Sequence, residues 1–192
     1  MGLAAALAVA AGCSTAPVAT EYPDLTYTHL PPIVLTAGTV EVVDGYIPTL
    51  SEPNVEHLFP LRPSVAMQQW AHDRLQVTGS DGQVVRFEVV QASVTETSVR
   101  EEGGAIRRLF TTAHTLRYDM TLEARVEVRP NPSSAAVGFV RAIVQRHATL
   151  PEDATVNDRE QLWFTMLSAA MNDLNREMEG QIRITLNPWL VN

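Results

Sequence analysis

The sequence predicts an α+β two-layer sandwich, a mostly antiparallel sheet of four to five strands with two helices on one face, in the order β-α-β-β-β-α-β. Three observations carry this. Tyr118, Met120, Leu122, Ala124, Val126 and Val128 alternate with Arg117, Asp119, Thr121, Glu123, Arg125, Glu127 and Arg129, the period of a strand with one buried and one wet face. Leu162, Trp163, Met166, Leu167, Ala170, Leu174 and Met178 recur at helical spacing, as do Ala66, Trp70 and Val77 with Met67, Ala71 and Leu75 beside them. A sheet and two helices that are each apolar on one side bury those sides best in two layers. The 192 residues, 45% apolar and 19% charged, suit one domain with a sizeable core.

Taken in order, Ile33 to Val43 is rich in β-branched residues and reads as a first strand, with Gly38 marking a bulge. Asp44 to Pro60 is a long loop carrying Pro48, Pro53 and Pro60; loops of this length are functional or disordered. Leu61 to Val77 forms the first helix, with Pro63 early, where its missing N–H costs nothing. Gly79, Ser80, Asp81 and Gly82 make a turn. The second strand, Val84 to Val99, shifts its apolar phase from Val85, Phe87 and Val89 to Val90, Ala92 and Val94, so a bulge is expected there. Arg100 to Gly104 is a polar hairpin tip, and Ala105 to Val128 the third strand. Pro130 to Ser133 turns the chain into a fourth strand from Ser134 to Ala148. Thr155, with Asp158 three residues on, opens the second helix as a capping box. Gly180 is expected to stop that helix, leaving Ile182 to Leu186 as a short last strand before the tail Pro188-Trp189-Leu190-Val191.

The N-terminus places this domain. The apolar run Leu7-Ala8-Val9-Ala10-Ala11 ends in Gly12, followed by Cys13, the single cysteine of the chain. Secreted proteins with structural disulfides carry an even number. The stretch resembles the lipobox of bacterial lipoprotein signal peptides. That resemblance implies that Cys13 takes a diacylglycerol on its thiol, that residues 1–12 are removed, and that the new N-terminus is acylated. Small residues before the cysteine, here Ala11 and Gly12, allow the processing enzymes to approach. Ala10 stands where a large aliphatic residue is usual, and no basic n-region precedes the run, so the reading frame is expected to start upstream of Met1. The run is shorter than the roughly 20 apolar residues a bilayer span requires, so the chain is anchored to a membrane and does not cross it. Three acyl chains exceed the two signals that stable anchoring takes. Ser14, where an aspartate would favour inner-membrane retention, implies by the same analogy the outer membrane, periplasmic face.

From Cys13 to Pro32 the chain reads as a lipidated, proline-rich tether, and residues 33–192 as the single α+β domain. The net charge of −8 excludes nucleic acid and a polybasic membrane patch. Lysine is absent, so every cation is an arginine.

A lipobox followed by β-α-β-β-β-α, with the helix segment Trp70-Ala71-His72-Asp73-Arg74-Leu75 and the Leu162 to Met178 helix, resembles the ABC-transport auxiliary lipoproteins of the PqiC kind. It is also similar in outline to the lipopolysaccharide-assembly lipoprotein that sits inside an outer-membrane barrel. The resemblance covers about Ile33 to Leu186. It implies a non-enzymatic auxiliary or assembly component of an envelope lipid-transport or outer-membrane machine, whose partner is an envelope protein complex. A small-ligand or glycan-binding module, using the cleft under the Asp44 to Pro60 loop, is the alternative.

No catalytic or cofactor motif competes with these readings. The five histidines, His29, His57, His72, His114 and His147, lack metal-ligand spacing, and no phosphate loop or nucleophile elbow is present. No cofactor or metal is expected. Glu101 and Glu102 are a solvated hairpin tip. Arg117, Arg125 and Arg129 are suited to lipid phosphates, but interleaved Asp119, Glu123 and Glu127 make a self-compensated face the stronger expectation. The candidate partner-binding residues are Trp189 and Leu190 in the tail and Leu58 and Phe59 in the loop. The tail is expected either to fold back on the sheet or to dock into a partner.

Overall fold

The computed structural model describes residues 22–79, 82–100 and 114–191. Cys13, the tether up to residue 21, the Glu101–Glu102 tip and residues 105–113 of the third strand lie outside them. The elements are β1 (Ile33–Leu35), β2 (Thr39–Asp44), α1 (Pro63–Arg74), β3 (Leu75–Val77), β4 (Val84–Arg100), β5 (His114–Arg129), β6 (Gly138–Pro151) and α2 (Val156–Thr185). A four-stranded sheet has the order β2-β4-β5-β6, and β1 and β3 form a separate parallel pair. β4-β5 and β5-β6 are antiparallel, whereas β2 runs parallel to β4. The architecture is the expected α+β, with both helices against one face of the sheet.

The inner face is built from the alternation seen in the sequence. Val85, Phe87, Val89, Ala92 and Val94 of β4 are buried, as are Leu116 to Val128 of β5 at every second position and Val140, Ala142 and Val144 of β6. The phase slip in β4 is a bulge: the register with β5 shifts between Val89 and Gln91. One extra residue there keeps Ala92 and Val94 on the core side. α1 covers the β2–β4 side, with the Trp70 ring 5.5 Å from Phe87, and α2 covers the β6 side with Trp163 edge-on to Tyr118 at 5.6 Å. Six of the seven expected core residues (Trp70, Met120, Leu122, Val126, Met166 and Leu174) are buried, and Leu162 is half-buried at the helix margin.

Three expectations are corrected. The first strand is two strands in two sheets: after Leu35 the chain turns at Gly38, whose N–H donates to the Gln83 carbonyl, and only β2 joins β4. The first helix ends at Arg74, because Leu75–Val77 pairs with Ile33–Leu35 as β3. Finally, Ile182 to Leu186 is not a strand. α2 continues through Gly180 to Thr185, since Leu174, Met178, Ile182 and Leu186 extend its buried stripe at four-residue spacing. A helical glycine costs only about 1 kcal/mol against alanine, less than exposing the two apolar side chains beyond it would. The start of α2 is as expected. Asp158 N–H donates to Thr155 Oγ1 at 3.2 Å, and the Thr155 hydroxyl and N–H donate to Asp158 Oδ2 at 2.6 and 3.1 Å; the latter two hold the Asp158 carboxyl below its ordinary range.

Candidate functional site

The Asp44 to Pro60 loop is a fixed cover over the upper half of β4, where β2 has already ended. Val55 N–H donates to the Val94 carbonyl and Glu96 N–H to the Pro53 carbonyl, and Asn54 bridges Thr95. In effect the loop takes over the sheet edge that β2 leaves. Its internal strut is Glu56, buried although acidic. The Glu56 carboxyl accepts from Tyr46 Oη at 2.7 Å, Asn54 Nδ2 at 3.3 Å and Val94 N–H at 3.2 Å. A buried carboxyl is tolerable only with such donors. Burial and the Glu56 contact both raise the Tyr46 phenol pKa, so Tyr46 is a donor at neutral pH. Leu50, exposed, adopts a left-handed φ of 57°, an uncommon conformation for a leucine.

Beneath the loop the two candidate residues separate. Phe59 is buried and stacks on Trp163, ring centroids 4.7 Å apart and nearly parallel. It is therefore a core residue that pins the loop to α2, and the structure does not place it on a docking surface. Leu58 is exposed, and so is Leu50 on the rim of the same cavity. This cavity, of about 660 Å³, lies between the rim and the start of α2 and is lined by the loop from Leu50 to Leu58, Glu96, Ser98, Leu116, Glu152 and Arg159. Of the residues lining it, Arg159 Nε and His57 Nδ1 are buried without a partner in hydrogen-bond geometry. Burial, then the neighbouring Glu96 carboxylate, raises the Tyr118 phenol above its usual range.

The tail folds back. Trp189 C=O accepts from Thr36 N–H at 2.7 Å, Val191 N–H donates to the Val34 carbonyl at 3.0 Å, and Leu190 bridges Leu35. The half-buried Trp189 ring lies against Gly138, where an added Cβ would come within 2.8 Å of it. Trp189 and Leu190 thus seal β1 and the start of β6, and neither projects from the domain.

The tether also docks earlier than the sequence suggests. Tyr27 is buried, and its N–H and the Thr26 hydroxyl both donate to Asp73 Oδ2, at 2.7 and 3.0 Å. Burial, with Asp73 adding to it, pushes the Tyr27 phenol up to about 12. Arg74, buried in α1, holds the Pro31 carbonyl and Glu179 of α2. Tyr22 packs against Phe164 with centroids 5.0 Å apart. The chain therefore lies across the helix layer from Tyr22 onward. From Cys13 to Tyr22 is nine residues (22 minus 13), at most roughly 30 Å of reach at about 3.3 Å each, half the span a tether running to Pro32 would allow. The apolar series Tyr22, Leu25, Tyr27 and Leu30 was the signal in the sequence.

The outer face of the sheet is self-compensated. Arg86 pairs with Glu41, Arg117 with Asp119, Arg125 with Glu88 and Glu127, Arg129 with Glu127, and Arg141 with Glu123. Glu123 and Glu127 are themselves buried under these guanidinium groups. The arginines considered as phosphate ligands are committed to carboxylates. Among the described residues no group of three His, Cys, Asp or Glu side chains gathers in metal-binding range, and no helix is long and apolar enough to cross a membrane.

No protein-family model matches the chain, and no curated protein does. Solved structures resemble it in outline. The minor lipoprotein of Acinetobacter baumannii superposes with a TM-score of 0.36 at 11% identity, covering 82% of this chain and 98% of its own. For the rare lipoprotein B of Shewanella oneidensis the values are 0.40, 11%, 74% and 94%. For a protein of Xanthomonas campestris they are 0.42, 10%, 85% and 92%. Superpositions of this quality do not extend to residues or activity.

Proposed function

We propose that the protein is a lipid-anchored, non-enzymatic lipoprotein of the bacterial envelope, held by Cys13 on the periplasmic face of the outer membrane. There it serves as an auxiliary component of a lipid-transport or outer-membrane assembly machine. The observation that carries this reading is the run Leu7–Gly12 ending at the single Cys13. The docked tether supports it, because a short leash fixed to the helix layer holds the domain close to the bilayer with a defined face outward. Leu50 and Leu58, exposed and lining one cavity, support a protein partner, since exposed apolar side chains on a loop hydrogen-bonded to the sheet are the kind of anchor an interface uses. Replacing Cys13 with serine in the full reading frame tests the anchor. The expected outcome is a shift from the membrane to the soluble periplasmic fraction; a wild-type protein already soluble there would refute it. For the partner, Leu58→Glu is expected to leave the fold intact and remove the protein from its membrane complex on native gels.

One observation favours a second reading. The 660 Å³ cavity, with Arg159 Nε and His57 Nδ1 unpartnered in its lining, suits a small hydroxyl-rich ligand, such as a sugar. Native mass spectrometry of gently purified protein would detect a retained molecule, and Arg159→Ala is expected to lower its occupancy.

A further inference from the structure

The two edges of the main sheet are unlike. β2 has six residues, carries Glu41 and Asp44, and has Asp44 tied to Gln68 of α1. Short length and charge are the usual protections of an edge strand. β6 has 14 residues and no lysine, and its one proline, Pro151, is its last residue. Among the described residues nothing pairs with its outer edge. On its outward face Phe139 and Ile143 are 59% and 47% exposed, and Val137 beside them is exposed too. A long edge with exposed apolar side chains is a template for another strand.

We infer that this edge pairs two copies of the chain, β6 against β6, antiparallel about a two-fold axis through Ile143. Of the registers that oppose no like charges, this one sets the exposed Ile143 side chains on each other. Centring on Ile143 places Ile143 on its own copy, Arg141 opposite Gln145 and Phe139 opposite His147. On the inner face Ala142 meets Val144 and Val140 meets Arg146. No charged residue then faces its like, and each Arg146 keeps its ion pair with Asp173 of α2. Centring on Arg141 or Arg146 sets arginine on arginine, which is destabilising; centring on Val144 sets Arg141 against His147.

Symmetry supplies a second argument. The two-fold axis of a continuous antiparallel sheet stands perpendicular to it, so both helix layers lie on one side and both charged faces on the other. Each tether crosses its own helix layer through Tyr22–Phe164 and Asp73–Tyr27. Both chains therefore reach Tyr22 on the same side, as two anchors in one bilayer require. This orientation rests on the anchored reading above; the association itself does not.

The test uses the full chain carrying Cys13→Ser, so that the outcome is independent of lipid. Analytical ultracentrifugation is expected to give a concentration-dependent dimer. Ile143→Lys is expected to give a monomer with an unchanged circular dichroism spectrum and a melting temperature that no longer depends on concentration. In the same background Ile143→Cys, then the single cysteine, is expected to oxidise to a covalent dimer, because opposed Cα atoms lie about 4.5–5.5 Å apart, within disulfide range. Gln145→Cys, offset from its copy by four residues or roughly 13 Å, is expected to stay reduced. A wild-type monomer at every concentration, a dimer that survives Ile143→Lys, or cross-linking at Gln145 equal to that at Ile143 would each overturn the proposal.

Discussion

β5 serves two faces that solve opposite problems with the same backbone. On the inner face Tyr118, Met120, Leu122, Ala124, Val126 and Val128 are closed off by α1 and α2. On the outer face no helix covers the strand, yet Glu123 and Glu127 are as buried as core residues, roofed by Arg141, Arg125 and Arg129. Apolar burial is non-directional and scales with area, so the inner face tolerates no loss of volume. The outer face depends on ion pairs whose arginines stay in reach of solvent, and on neighbours that substitute for one another, as Arg125 and Arg129 do at Glu127. The difference teaches that alternation in a strand predicts which side is packed, whereas burial of a charged residue reports only the length of the arginines around it.

The sharpest way to break this comparison is on the inner face. Leu122→Ala is expected to cost about 2–5 kcal/mol, read from denaturant midpoints. Deleting the chain from Pro188 onward removes the Trp189 ring from Gly138 and two backbone hydrogen bonds to β1. At about 0.5–1.5 kcal/mol per bond plus lost burial, it is expected to lower the melting temperature by several degrees. Trp70→Phe leaves Asn175 Oδ1, its partner at 2.8 Å between the helices, unsatisfied. About 1–3 kcal/mol is expected, with Asn175→Leu in the same chain recovering part of it. Arg125→Ala, on the outer face, is expected to stay within about 0.5 kcal/mol. Equal losses at Leu122 and Arg125 would erase the distinction between the faces.

The smallest effect sharpens the outer face. The hydrogen bond from Arg117 holds the Asp119 carboxyl below its ordinary value of 3.8. A lowered folded-state pKa contributes stability above the unfolded value that is lost as pH falls through the folded one. Melting curves taken from neutral pH down through 3.8 are therefore expected to show a slight decline that Asp119→Asn weakens, the pair being too exposed for a large change.

How much of this was legible depended on whether the signal was periodic. The strand alternation, the β4 bulge and the Thr155–Asp158 cap could be read because each is a local pattern with one physical cause. Gly180 was misleading because a local breaker was outweighed by Ile182 and Leu186, two and six residues on. Strand Ile33–Leu35 was assigned to the wrong sheet because its partner, Leu75–Val77, lies inside an apparently helical run. The site was less readable. The Glu56 strut, the Trp70–Asn175 bond and the Arg74–Glu179 pair join residues that gain meaning only from contacts across the fold, and the last two span 105 positions. Phe59 and Leu58 are adjacent in sequence and opposite in role, a distinction set by the short 3₁₀ turn from Glu56 to Leu58.

The most direct test of the anchored reading is the intact mass of the mature N-terminal peptide, from protein expressed in its full reading frame and extracted from membranes in detergent. The expected result is a peptide that begins at Cys13 and carries a diacylglycerol on the thiol and an acyl chain on the amine. A peptide that retains residues 1–12 with an unmodified Cys13 thiol would contradict it.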